Sequence, residues 1–259
     1  MQDELKIAVI QSDLVWGNPK QNRTNFAHKI KQINESVDVI LLPEMFTSGF
    51  TMSPKHVAET IKGGTVNWML DVALSANAAI GGSIIIEENE KYYNRFVFAR
   101  PDGTIETYNK RHTFTLAGED KVYTAGEKRV IIDYNGWKIC PLICYDLRFP
   151  VWSRNTDNYD ILIYVANWPK PRITAWDALL KARAIENMSY CIGVNRVGLD
   201  VNNHEYSGHS IVYNGLGDQL LSIADGKEQT EIITLNKSHL TTIRETLKFL
   251  SDKDVFTLK

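Results

Sequence analysis

Three residues of different chemistry, Glu44, Lys110 and Cys144, each stand where a strand-like run gives way to polar sequence. Cys144 lies in KICPLICYDLRFP, where an apolar run meets Tyr145, Asp146 and Arg148. A thiol at such a boundary can be presented to a cleft, and a neighbouring cation or helix N-terminus would give it the thiolate character that attack on a carbonyl needs. The plainer alternative for Cys144 is a buried small hydrophobe. Glu44 follows LLP, and a carboxylate directly after a buried strand is costly unless it is paired or lies in a solvated cleft. It is a candidate general base, with an ordinary loop carboxylate as the alternative. Lys110, in TYNKRHTF, could stabilise the oxyanion of a tetrahedral intermediate, or stand in water beside Arg111. What joins the three is that they end separate strands, where open sheets gather ligand sites.

The other cysteines fit the core. Cys140 shares a strand with Cys144, and Cys191 begins an apolar run. Cys140 and Cys144 have neither CxxC spacing nor a second ligand pair, and the six histidines show no HExxH arrangement, so no metal is expected. A nucleotide-binding oxidoreductase is set aside because no GxGxxG follows any strand.

The elements that must position these residues alternate. Lys6–Gln11 and Val37–Leu42 are β-branched apolar runs separated by Arg23–Ile33, whose apolar spacing is helical. The second run is apolar throughout, which predicts burial on both faces, and it stops at Pro43 just before Glu44. Val66–Asn77 reads as a helix, Ile80–Ile86 and Tyr93–Ala99 as strands around a polar turn at Glu87–Lys91, and Thr104–Asn109 as the strand that ends at Lys110. Asn135-Gly136 supplies the positive φ angles of a two-residue hairpin between Arg129–Tyr134 and Trp137–Ile143. Phe149–Arg154, with Pro150 in its first turn, starts a helix, which puts Cys144 at a strand-to-helix corner. Asp160–Val165 is a strand, Ile173–Asn187 a helix, Tyr190–Asn195 a strand, Gly208–Tyr213 with Gln219–Ile223 a hairpin, and a last helix follows Ser238. Strands joined both by helices and by hairpins exclude a purely parallel doubly wound sheet and predict a two-sheet core with helices outside.

The chain's 259 residues, 44% hydrophobic and 23% charged, can bury a substantial core. Neither a repeat nor a linker divides it, so residues 1–259 are read as a single domain. With 29 Lys+Arg against 31 Asp+Glu the net charge of -2 offers no field for a nucleic acid, and a small molecule is the expected partner. MQDELKIAVIQ is unlike a secretory signal, no apolar run is long enough to span a membrane, and three cysteines fit a reducing compartment. The expected location is the cytoplasm.

LLPEMF, YNKRHTF and LICYDLRFP resemble the three blocks around the Glu, Lys and Cys of the nitrilase superfamily, in that family's chain order. AVIQSDLVWGNPKQN and WDALLKARAIEN extend the likeness over nearly the whole chain. The resemblance implies an α/β four-layer αββα sandwich, mixed sheets with helices outside, and a cofactor-free hydrolase. It implies that Glu44 is the base, Lys110 the oxyanion stabiliser and Cys144 the nucleophile, with the Tyr145 backbone N–H as a second oxyanion donor. Glu119, seven residues before Gly126, resembles the family's second glutamate, which orients the lysine. FTSGF, ANWPKPR and GHSIVYNGLGD are most similar to the bacterial omega-amidase branch, which acts on omega-amides of dicarboxylic or 2-oxo acids such as succinamate and 2-oxoglutaramate. A carboxylate substrate needs a cationic anchor, for which Arg148 and Arg172 are candidates, although Arg148 has Asp146 beside it as an expected ion-pair partner. Phe46 and Trp168 are candidate pocket walls, or core. The alternatives are a nitrilase, an N-carbamoyl amino acid hydrolase, or a catalytically silent oligomeric scaffold. A homodimer or higher oligomer is expected, with Trp176, Leu179 and Leu180 as a stripe that would otherwise pack on the sheet.

Overall fold

In β1 (Glu4–Gln11) the side chains of Leu5, Ile7 and Val9 enter one apolar cluster while Ala8 and Ile10 enter another, and all five are fully buried. This period of two, with both faces apolar, places the strand in the interior of a layered fold. The computed structural model describes residues 2–257. After β1 the chain runs through α1 (Pro19–Lys31), β2 (Val39–Leu41), α2 (Gly64–Ala76), β3 (Ala79–Glu88), β4 (Lys91–Ala99) and β5 (Ile105–Asn109). It continues through β6 (Ile132–Tyr134), β7 (Trp137–Ile143), α3 (Pro150–Ser153), β8 (Ile161–Ala166), α4 (Ile173–Asn187) and β9 (Tyr190–Asn195). β10 (Val197–Leu199), β11 (Glu205–Ser207), β12 (Ile211–Tyr213), β13 (Gln219–Ser222), β14 (Gln229–Asn236) and α5 (Lys237–Leu247) follow.

Two mixed six-stranded sheets form, in the orders β14-β1-β2-β3-β4-β5 and β13-β12-β9-β8-β7-β6. β1, β2 and β3 are parallel in the first, as are β7, β8 and β9 in the second, and antiparallel pairs flank both sets. The sheets meet face to face: β1 lies against β9 and β4 against β7, and the Phe98 and Tyr134 rings touch edge to face at 5.3 Å. Outside the first sheet, Phe26 and Ile30 of α1 and Val66, Met69 and Ala73 of α2 cover Ile40, Leu42, Ile80 and Val97. Outside the second, α4 packs on β9 and β12. The αββα architecture expected above is therefore the observed one, and no helix among the described residues is long and apolar enough to cross a membrane.

Several boundaries moved for local reasons. α1 starts one turn early, because the Asn18 side chain accepts from the Gln21 N–H and Pro19 occupies the first turn. The strand expected from Gly208 begins only at Ile211, since Gly208 (φ 83°) and His209 (φ 60°) are left-handed. Asn135 and Gly136, at φ 51° and 84°, make the expected hairpin turn. β14 was not anticipated: QTEIITLN is half exposed and carries a charge, yet it pairs with the whole of β1. The β10–β11 hairpin was also missed. Trp176 and Leu180 are fully buried against β9, where a Cβ on Gly193 would meet Leu180 Cδ1 at 2.4 Å, and Leu179 is partly buried against the same core, so this stripe packs on the sheet.

Candidate active site

Cys144, Asn167 and Lys110 directly follow β7, β8 and β5, and Glu44 stands just beyond β2, after Leu42 and Pro43. The parallel strands β2, β7 and β8 deliver their residues at carboxyl ends, where open α/β sheets leave a crevice. β5 arrives from an edge, and its last step is fixed by Lys110 N–H donating to the Asn94 carbonyl at 2.9 Å. Two non-glycine residues at these ends are left-handed, Met45 at φ 43° and Cys144 at φ 44°. Such backbone costs of order 1–3 kcal/mol and persists where surroundings over-determine it. Ser83 Oγ accepts the Met45 N–H at 2.9 Å, and Phe46 N–H donates to the Ser83 carbonyl at 3.1 Å.

Lys110, Glu44 and Glu119 are buried together. Lys110 Nζ donates to Glu44 Oε1 at 2.9 Å and to the Glu119 oxygens at 3.0 and 2.9 Å. Asn94 Nδ2 bridges the two carboxylates, 2.7 Å from Glu44 and 3.3 Å from Glu119. The Phe114 N–H completes Glu119 at 2.5 Å, and the Asn167 N–H meets the second Glu44 oxygen at 2.8 Å. Burial pulls the Lys110 ammonium down, but the charges of Glu119 and Glu44 outweigh it and hold it above its ordinary value. Burial raises Glu119, against the opposing charge of Lys110. Cys144 is partly buried, and burial first, then the Glu44 charge, push its thiol well above the usual range, with Lys110 acting the other way. At neutral pH this is a protonated thiol beside a carboxylate, an arrangement that needs a base during attack.

Cys144, Lys110 and Asn167 open onto a cavity of about 1080 Å³, with Tyr145, Arg148, Trp168 and Arg172 also on its wall. Arg148 stacks on Trp168, its guanidinium carbon 5.1 Å from the ring centroid, and Arg172 lies over Phe114 at the same distance. Among the described residues neither guanidinium has an ion-pair partner (the ion pairs found lie elsewhere). The expected pairing of Arg148 with Asp146 is thus corrected: Asp146 is buried behind the corner and bonds Tyr108, His112 and Ile143 instead. Phe46 is corrected as well. The turn at Met45 sends it into the helix-side core between Phe26 and Trp68, at ring distances of 5.5 and 5.9 Å, and Phe50 lines the cavity in its place. Lys110 Nζ stands 5.2 Å from the Phe50 ring.

Asn94 and Asn167 escaped the sequence reading, although both left a trace. Asn is disfavoured within strands, and Asn94 interrupts β4 while being fully buried. Asn167 follows a wholly buried strand, as Glu44 does. Among the described residues no cluster of His, Cys, Asp and Glu is arranged to hold a metal.

The two-sheet fold and this buried Glu-Lys-Glu set beside a thiol define a hydrolase of the nitrilase type. The chain belongs to the carbon-nitrogen hydrolase family, whose model matches residues 6–245. It is similar to omega-amidase YafV of Escherichia coli (strain K12), with 45% identity over 98% of both chains. It also resembles the 2-oxoglutaramate amidase of Bacillus subtilis (strain 168), with 30% identity over 96% of this chain and 98% of that one. Among solved structures, XC1258 from Xanthomonas campestris, a CN-hydrolase superfamily protein with an arsenic adduct in its active site, superposes with a TM-score of 0.97 at 37% identity over the full length of both chains. The protein is accordingly a hydrolase of carbon-nitrogen bonds other than peptide bonds, and its chemistry is amide hydrolysis.

Proposed function

We propose that this enzyme is an omega-amidase, which converts the omega-amide of a small dicarboxylic or 2-oxo acid, such as succinamate or 2-oxoglutaramate, to the acid and ammonia. Glu44 takes the Cys144 proton as the sulfur attacks the amide carbon, and the oxyanion is held by Lys110 and the Tyr145 backbone N–H. In the resting site Lys110 Nζ contacts three carboxylate oxygens. Protonation of Glu44 weakens one of these bonds, and that N–H turns to the oxyanion as it forms. The proton on Glu44 then passes to the departing nitrogen, ammonia leaves, and a thioester remains on Cys144. Water, deprotonated by Glu44, attacks the thioester, and the same proton returns to the sulfur as the acid is released. Glu119 keeps Lys110 in place throughout.

The observation that carries the substrate reading is the pair Arg148 and Arg172, cations without an ion-pair partner among the described residues on the wall that also holds Cys144. They suit a substrate whose far end is a carboxylate, with Trp168 as the surface on which Arg148 is held. The cysteines, none of them paired, fit a cytoplasmic enzyme. Residues 1–259 act as one catalytic domain, and assembly into a homodimer or larger homo-oligomer is proposed on the family resemblance alone. Ammonia release from succinamate, its methyl ester, 2-oxoglutaramate, glutamine, asparagine, a nitrile and a carbamoyl amino acid tests the reading. A charge-assisted hydrogen bond is worth about 1.5–3 kcal/mol, so esterifying the carboxylate should lower kcat/KM at least about tenfold. Indifference to the ester would remove the carboxylate anchor, and a preference for nitriles would move the enzyme from the omega-amidases to another branch while leaving the Cys144 mechanism intact.

A further inference from the structure

One buried carboxylate touches both the strand end that carries Lys110 and the turn that carries Cys144. Asp146 is fully buried. Its Oδ2 accepts the Tyr108 hydroxyl at 2.8 Å and the Ile143 N–H at 3.0 Å, and its Oδ1 accepts the His112 backbone N–H at 2.9 Å. His112 Nδ1 lies 2.8 Å from the same Oδ1, so a carboxylate partner places the ring proton on Nδ1. Tyr108 and His112 stand two residues before and two after Lys110, and Ile143 immediately precedes Cys144.

We infer that Asp146 is a positioning residue that clamps the Lys110 segment to the Cys144 turn and so sets the placement of ammonium and thiol relative to each other. The inference rests on the catalytic reading of Cys144 and Lys110. Both sides of the clamp are themselves held. The Tyr108 hydroxyl also receives Trp152 Nε1 at 3.0 Å and the Arg111 N–H at 3.1 Å, and the His112 ring stacks on Phe149 at 3.7 Å with the planes 5° apart. Cys144 needs such support, because its φ of 44° is unfavourable for a residue with a Cβ. Burying a carboxylate is expensive, and an apolar side chain in its place would leave these donors unsatisfied, so Asp146 ties the Lys110 segment and the Cys144 turn to one acceptor. A hydrolase that must bring sulfur, amide carbon and oxyanion donor into line loses rate steeply when any of them moves by a fraction of an ångström.

Asp146→Asn, Tyr108→Phe and the double variant are compared with wild type for ammonia release from succinamate, with circular dichroism to establish folding. Asp146→Asn turns an amide N–H₂ toward two donors and should lower kcat on the order of tenfold to a hundredfold, leaving KM within about twofold. Tyr108→Phe removes one of the four contacts and should lower kcat by a smaller factor, again without a change in KM. The double variant should be no slower than Asp146→Asn alone, as expected for residues acting through one contact. Wild-type kcat in folded Asp146→Asn or in Tyr108→Phe, a loss confined to KM, or multiplicative losses in the double variant would each overturn the clamp. If Asp146→Asn does not fold, Tyr108→Phe decides the matter, since the carboxylate keeps its other contacts. Cys144→Ala and Lys110→Ala run alongside: activity surviving in these overturns the catalytic reading itself, whereas activity lost in them but intact in the clamp variants overturns only the clamp.

Discussion

Asn167 grips Glu44 at two points, its backbone N–H reaching Oε2 at 2.8 Å and its side-chain Nδ2 reaching the Glu44 carbonyl at 2.6 Å. The two residues end strands of different sheets, β2 and β8. The grip therefore fixes the base of one sheet against the crevice of the other. Asn167→Ala keeps the backbone bond but leaves a buried carbonyl unsatisfied, which costs about 1–3 kcal/mol. Calorimetry should show a lower Tm, by several degrees at about 2–4 °C per kcal/mol for a chain of this size. The kcat for omega-amide hydrolysis should fall about tenfold as Glu44 loosens; an unchanged kcat at a lowered Tm would confine Asn167 to stability.

The three cysteines should separate cleanly. Cys144→Ala should abolish turnover, while Cys140→Ala and Cys191→Ala should retain it, because those two are fully buried in the core. Burial pushes the Cys140 thiol up to about 12 and raises Cys191 as well, so neither offers a thiolate. Mass spectrometry with a slow substrate should place an acyl adduct on the Cys144 peptide. An adduct on either other cysteine would reject the assignment.

The electrostatics of the site predict opposite shifts in two variants. The Glu44 charge raises the Cys144 thiol and the Lys110 charge lowers it. Glu44→Gln should therefore move the midpoint of iodoacetamide alkylation at Cys144 to lower pH, and Lys110→Met should move it to higher pH. Both should nevertheless lose hydrolysis, by roughly a hundredfold or more for the base. The alkylation rate at Cys144 is read against pH in wild type and in both variants, and the direction in which each profile moves is the readout. Shifts of the same sign in both variants would contradict this arrangement.

Packing gives a prediction away from the chemistry. A Cβ at Gly193 would lie 2.4 Å from Leu180 Cδ1 and 2.7 Å from Trp176 Cζ2, both on the buried face of α4. Gly193→Ala should cost about 1–3 kcal/mol through overpacking. Urea denaturation should show a lower midpoint with an unchanged slope. Stability equal to wild type would mean that α4 can move away from the sheet.

Much of the site was legible locally. A run of apolar residues cut off by Pro43 and Glu44, a strand ending at Lys110, an Asn-Gly turn feeding β7, and Pro150 starting the helix after the corner are all short-range signals, governed by backbone sterics and by period-two burial. They are enough to put Glu44, Lys110 and Cys144 at strand ends. The likeness of three blocks to one superfamily then supplied their joint meaning and pointed to Glu119.

Tertiary structure decided which groups those residues meet. Glu44 bonds Asn94 and Asn167 from positions 50 and 123 residues away, and no local pattern encodes a partner at such separation. β14 pairs with β1 from the far end of the chain, and its weak alternation says little until an edge is there to receive it. At Met45 the left-handed turn decided that Phe46 enters the core and that Phe50 reaches the cavity, an outcome that period-two reading cannot give once the strand has ended. Asp146 and Arg148 are neighbours in sequence, but the tight turn after Cys144 points one inward to Tyr108 and the other to the cavity wall. Sequence determined where the chemistry stands, because strands and turns are local; only the fold decided what surrounds it, because hydrogen-bond partners and packing are set by long-range closure of the chain.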